Sequence, residues 1–166
     1  MYQVGEFIVY STSGVCQVTA VGQPDFAEGS RRYYTLRPIQ GTEIIYVPVD
    51  SSEFMRPVIT RAQAEALVAA IPSVEAEDTA GQSQRVTGEH YQAALQSHDC
   101  RALVQLIKTV YAKAHTAGRR VSQIDQRYRK RAEELLHGEL AVALGIPLGE
   151  VQPYITRTIA AQRARP

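Results

Sequence analysis

A chain of 166 residues, 45% hydrophobic and 21% charged, has room for one globular domain or two small ones. It contains no run near the ~20 apolar residues of a membrane span and no basic-then-apolar secretory start, so a cytoplasmic protein is expected. The overall charge of +1 hides a gradient: residues 1–60 carry 4 Lys+Arg against 6 Asp+Glu, residues 61–84 carry 1 against 4, and residues 85–166 carry 13 against 7. Such asymmetry marks the C-terminal half as a candidate acid-binding surface, nucleic acid being the commonest acid.

The first sixty residues read as short strands. Val4 to Tyr10 is rich in β-formers and is followed by the turn cluster Ser11–Gly14. Gly14 to Val21 alternates, with Val15, Gln17, Thr19 and Val21 on one face and Cys16, Val18 and Ala20 on the other. Gly22 to Arg32 is a polar loop, Tyr33 to Ile39 a third strand, Glu43 to Val49 a fourth and Phe54 to Ile59 a short fifth. Pro48 lacks an N–H and belongs at an edge or a bulge. The pattern predicts a small Tudor- or SH3-like β-barrel over residues 1–60, followed by an all-α domain, an α+β chain overall.

Periodicity then changes. Thr60-Arg61-Ala62-Gln63 has the form of a capping box, and a short helix to about Ala70 ends at Pro72. Residues 73–84 offer little to bury and read as a linker, so 61–84 is a connecting segment and 85–166 the helical domain. Asp99 is the expected N-cap of a helix whose core stripe is Leu103, Leu106, Ile107, Val110, Tyr111 and Ala114, closed by Gly118. Ser122 and Asp125 open the next, with Ile124, Tyr128, Ala132, Leu135, Leu136, Leu140 and Ala143 inward and Gly145 and Pro147 at its end. A last helix from about Gly149 packs Val151, Ile155 and Ile159.

Chemistry-bearing motifs are absent: there is no G-x-G-x-x-G, P-loop or G-x-S-x-G. His90, His98, His115 and His137 lack metal-ligand spacing on a shared helix face, and the 2 cysteines form no C-x-x-C pair. Neither an enzyme, a cofactor, a metal nor a small-molecule substrate is expected. Glu133, Glu134 and Glu139 read as a solvated helix face. Arg127, Lys130 and Arg131 fall within an arc of about 100°, turned away from the Ile124/Ala132/Leu135 stripe. They are candidate phosphate contacts, which Arg119 and Arg120 extend; the competing reading pairs the helix cations with Glu133 and Glu134.

Taken together these segments resemble the CarD-like family of bacterial transcription regulators, and the N-terminal part is similar to the polymerase-interacting module of transcription-repair coupling factors. The likeness runs through Val4-Gly5-Glu6 to Val9-Tyr10, Gly14, Val47-Pro48, Tyr91 to Leu95, and Ser122 through Gly138 to Ala141. It covers nearly the whole chain apart from the linker and the tail. It implies a Tudor-like domain that pairs a strand edge with the RNA polymerase β subunit, and a helical domain that lies on promoter DNA and modulates open-complex formation. The residues it implies for polymerase are Gln23, Arg37, Tyr46 and Val47; for DNA they are Arg85, Thr87, His90 and Arg119 beside Arg127, Lys130 and Arg131. The chain departs from the family pattern in two ways. Thr87 stands where some members carry a groove-wedging tryptophan, and Pro24 (or Gln23) and Tyr46 stand where members carry basic polymerase contacts. A protein-interaction adaptor without DNA contact is the rival expectation.

Overall fold

The computed structural model describes residues 1–116 and 118–165, which fall into two compact units, Met1–Val58 and Ile59–Pro166. The first is a five-stranded antiparallel sheet: β1 (Phe7–Tyr10), β2 (Gly14–Gly22), β3 (Tyr33–Pro38), β4 (Ile45–Pro48) and β5 (Met55–Pro57). The strand order is β4-β3-β2-β1-β5, so the expected small barrel is an open sheet with β4 and β5 at its two edges. The β1–β2 hairpin turns at Ser11–Ser13, where the Ser13 N–H donates to the Tyr10 carbonyl at 3.0 Å. Ser11 (φ 43°) and Gly14 (φ 80°) both take the left-handed backbone that this tight reversal requires.

One face of the sheet forms the core, made of Ile8, Cys16, Val18, Tyr34, Leu36 and Val47. Each fully buried aliphatic side chain there contributes roughly 1.5–3 kcal/mol. The strict alternation expected along β2 breaks at Thr19: Val18 faces Leu36, but Ala20 faces Thr35. The extra residue is a bulge, and a one-residue slip exchanges the two faces. Val21 therefore joins the core while Ala20 is exposed, the reverse of the expected pattern. Burial pushes the Cys16 thiol up to about 11, with the nearby Glu43 adding to the shift, so Cys16 is an inert apolar filler.

The second unit contains α1 (Arg61–Ala70), a 3-10 turn over Ile71–Ser73, α2 (Gln84–Gln96), α3 (Cys100–Ala114), α4 (Gln123–Leu144), a second 3-10 turn over Leu148–Glu150, and α5 (Val151–Arg163). Both halves of the capping box at Thr60 form: the Gln63 N–H donates to the Thr60 hydroxyl at 3.1 Å and the Thr60 N–H to Gln63 Oε1 at 2.8 Å. Asp99 caps α3, and Gly145, in the left-handed region at φ 67°, closes α4. The core gathers Ala64 and Val68 of α1, Val74, Tyr91 of α2, Leu103, Val104, Leu106 and Val110 of α3, Ala132, Leu136, Leu140 and Leu144 of α4, and Val151 and Ile155 of α5.

Three expectations are corrected here. Residues 61–84 are part of the helical unit, with Ala64, Val68 and Val74 in its core. What the sequence lacks in apolar residues after Val74 is replaced by side chains of α3 that satisfy the passing backbone: Gln105 Nε2 donates to the Glu75 carbonyl at 3.1 Å and the Glu77 N–H to the Thr109 hydroxyl at 3.0 Å, while just before it Lys108 Nζ donates to the Ile71 carbonyl at 2.7 Å. Tyr111 lies outside the core at 65% exposure, and Ala114 is exposed as well; in the last turns of α3 Val110 and Lys113 take the inward face, and Tyr111, turned about 100° from Val110, stacks on His115 at 4.4 Å. Glu139 is buried rather than solvated. Its Oε2 accepts the Ile59 N–H at 2.9 Å and its Oε1 the Cys100 thiol at 3.1 Å, so the first residue of the unit is fastened to α4. Among the described residues no helix is long and apolar enough to cross a membrane.

Candidate functional site

The edge strand β4 pairs with β3 alone, Leu36 with Ile45, Thr35 with Tyr46, Tyr34 with Val47 and Tyr33 with Pro48. The Val49 N–H donates to the Arg32 carbonyl at 3.1 Å, which fixes the phase of the ladder. In an antiparallel pair every second residue turns its peptide groups to the neighbour. Val49, Val47 and Ile45 therefore face β3, and the N–H and carbonyl of Tyr46 face the open edge. Pro48 shares Tyr46's orientation, so its missing N–H costs the sheet no bond, and its carbonyl accepts the Ser51 N–H at 3.0 Å. An edge of this kind is a template for another strand.

Side chains divide the same way. Ile45 and Val47 turn to the core face, whereas Ile44 and Tyr46 stand on the opposite face and are exposed. Tyr33 and Arg37 share that outer face by register, Arg37 lying opposite Gln17 of β2. Phe26, from the β2–β3 loop, folds over the same face. Its ring meets Tyr46 edge-on at 4.8 Å and 78°, and Tyr33 at 6.0 Å and 66°. The result is an aromatic platform beside an unpaired strand edge.

The four residues expected at a polymerase contact thus part ways. Tyr46 (44% exposed) and Arg37 stand on the open face. Val47 is 2% exposed and points into the core with its peptide groups toward β3, so it is a packing residue and not a contact. Gln23 spends its amide on its own loop, Nε2 donating to the carbonyls of Ala27, at 3.1 Å, and of Gly29. Phe26 was missed by the sequence reading; the one signal was a lone large apolar residue in an otherwise polar loop.

In the helical unit the middle of α2, the end of α3 and the start of α4 meet at Asp125, which is 1% exposed. Its Oδ1 accepts the Tyr91 hydroxyl at 2.7 Å, and its Oδ2 accepts Lys113 Nζ at 2.7 Å, the Ser122 N–H at 2.8 Å and the Ser122 hydroxyl at 3.0 Å. Burial works to raise the Asp125 carboxyl, but the Lys113, Ser122 and Tyr91 bonds outweigh it and hold it below its ordinary value. The same contact, after burial itself, drives the Tyr91 phenol upward.

The residues expected at DNA are spread around this hub. Thr87 is buried on α2 and its hydroxyl donates to Gln82 Oε1 at 3.3 Å, so it presents nothing to a groove. Arg119 is tied inward, with one guanidinium nitrogen on the Thr79 hydroxyl and another 3.9 Å from Asp78. His90 lies 3.9 Å from Glu77, and Arg131 is 3.3 Å from Glu134. Arg129, on the same helix, pairs with Glu133 at 2.7 Å, as the competing reading required. Arg85, Arg127 and Lys130 are exposed and form no ion pair among the described residues; Arg127 leans on the Tyr128 ring at 5.8 Å. The expected arc of three cations is therefore two free ones, Arg127 and Lys130, beside a paired Arg131.

Compared with known proteins, residues 2–59 match the family model described as the CarD-like/TRCF RID domain. The match covers the entire open sheet, including the β4 edge and the aromatic platform.

Proposed function

We propose that this chain, whose residues 2–59 are a CarD-like/TRCF RNA polymerase-interacting domain, is a non-enzymatic transcription regulator of the bacterial cytoplasm. It docks on the polymerase β subunit through β4 and touches promoter DNA through α4. The observation that carries the docking half is the open β4 edge with Tyr46 exposed beside it. A partner strand added there satisfies the outward peptide groups, the mode known as β-augmentation.

The DNA half rests on Arg127 and Lys130, one helical turn apart and uncommitted to any carboxylate among the described residues. Contacts to phosphate carry no sequence information, so this chain binds DNA without base preference. It shifts promoter opening only as far as it contacts the open form better than the closed one. Replacing both residues by alanine is expected to weaken duplex binding by the full chain and to lower the slope of log affinity against log salt by about 2. An unchanged slope removes α4 from the DNA interface.

The inward tie of Arg119, the pairing of Arg131 with Glu134 along α4, and the burial of Thr87 support a second reading in which the helical unit binds protein alone. Titration of the full chain with duplex DNA separates the two, since an adaptor leaves the DNA free at low salt.

A further inference from the structure

The polar β2–β3 loop carries Phe26 at 60% exposure, outside the core of its unit. A phenylalanine so placed forgoes most of the ~1.5–3 kcal/mol that burial would supply, yet the loop is built to hold it there. Gln23 bridges the loop from inside through the Ala27 and Gly29 carbonyls, and the Ala27 N–H closes a turn on the Pro24 carbonyl at 3.0 Å. Phe26 then rests against Tyr46 and Tyr33 and leaves its outer side uncovered. Arg31 lies over Tyr33 at 6.0 Å and is 3.6 Å from Asp50, Arg37 is exposed on the outer face and forms no ion pair among the described residues, and Asp25 and Glu28 are exposed in the loop on either side of Phe26.

We propose that Phe26 is the anchor of the docking surface, and that the polymerase segment it receives is an extended strand placing an aliphatic or proline side chain against the Phe26–Tyr46 pair. This deepens the docking reading of β4 and rests on it. The backbone of the occupant is dictated by the outward N–H and carbonyl of Tyr46, a donor and acceptor pair that an extended chain meets in register. Its side chain is dictated by the Phe26 and Tyr46 rings, which meet edge-on at 4.8 Å and are both exposed. Gln23 is a positioning residue, acting through the loop and not on the partner. Association is consequently carried by apolar burial and main-chain bonds, which salt does not screen, and not by ion pairs, which it does.

The test is a titration of full-length chain against core RNA polymerase at ionic strengths from about 0.1 to about 0.5 M, where screening of exposed charges becomes strong. Wild-type Kd is expected to change less than about threefold across that range, whereas an interface of exposed charge pairs loses affinity steeply. Phe26→Ala weakens binding roughly 30-fold or more, as aromatic anchors do, and Phe26→Leu retains most of the affinity because it still fills the notch. Gln23→Ala falls between, and Arg37→Ala is nearly silent. Phe26 lies outside the core, so the unfolding temperature of Phe26→Ala matches wild type. A wild-type chain that fails to bind polymerase refutes the docking reading itself. A wild-type chain that binds, with Phe26→Ala equally tight or with affinity falling tenfold as salt rises, overturns the anchor and leaves the docking reading standing.

Discussion

Asp125→Ala is expected to destabilise the helical unit by about 3–5 kcal/mol, the loss typical when one partner of a buried ion pair is removed. Four donors converge on that carboxylate, and the substitution strands them together: the Tyr91 phenol, Lys113 Nζ and the amide and hydroxyl of Ser122. It also removes one half of the capping box that starts α4. Asp125→Asn preserves the shape and one oxygen acceptor and is expected to cost less. Urea unfolding followed by helical circular dichroism measures both. An Asp125→Ala chain as stable as wild type would mean that the hub contributes no net stability.

The same carboxylate predicts a pH dependence with a definite sign. Its folded-state pKa lies below the ordinary 3.8, so its contribution is fully present above the unfolded value and disappears as pH falls through the folded one. Wild type is therefore expected to lose stability on acidification below about pH 4 more steeply than Asp125→Asn, whose amide does not titrate. Parallel acid-unfolding curves for the two would show that Asp125 is not the group responsible.

Leu36→Ala is the second large effect, expected at about 2–5 kcal/mol in the sheet unit. Leu36 is completely buried at the middle of β3 among Ile8, Cys16, Val18, Tyr34 and Val47. A domain of only about 60 residues buries a small share of its surface and is marginal to begin with, so a loss of this size is enough to unfold it. The outcome expected is collapse of amide-exchange protection in residues 7–57 and loss of polymerase binding, while the protected amides of α3 and α4 keep theirs. Undiminished protection in β2 and β3 would remove Leu36 from the role of core residue.

What could be read from the sequence was whatever local chemistry specifies. The Thr60 and Ser122 capping boxes, the Asp99 cap and the Gly145 stop all depend on neighbours two to four residues away, and all four form as expected. The strands of residues 7–57 were legible for the same reason, through β-branched and aromatic residues punctuated by glycine. The errors arose where a distant partner decides. Thr19 gives no local sign that it will bulge and exchange the faces of β2. Residues 73–84 look unburiable until Gln105 and Thr109 of α3 are seen to bond the Glu75 carbonyl and the Glu77 amide. Glu139 looks solvated until the Ile59 amide and Cys100 thiol are placed against it.

The interaction surfaces were legible in outline and less so in detail. Tyr46 was named on the family resemblance, and the structure leaves its ring exposed on the outer face of the sheet. Val47 was named on the same resemblance, but adjacent strand residues point to opposite faces, and Val47 is buried in the core. Phe26 escaped notice because a loop residue has no periodicity to assign it a face. Helical spacing alone put Arg127, Lys130 and Arg131 on one arc; which of them keeps a free charge depends on Glu134, one turn further along α4.

The most direct test of the account is the affinity of the full chain for core RNA polymerase before and after Tyr46→Pro. Proline at this position removes the outward N–H of β4 and the platform's central aromatic ring while taking no bond from the β3–β4 ladder, because the Tyr46 amide does not face β3. The account predicts that wild type binds and that the variant, still folded by circular dichroism, binds at least about 30-fold more weakly. Equal binding by the two chains would contradict docking through the β4 edge.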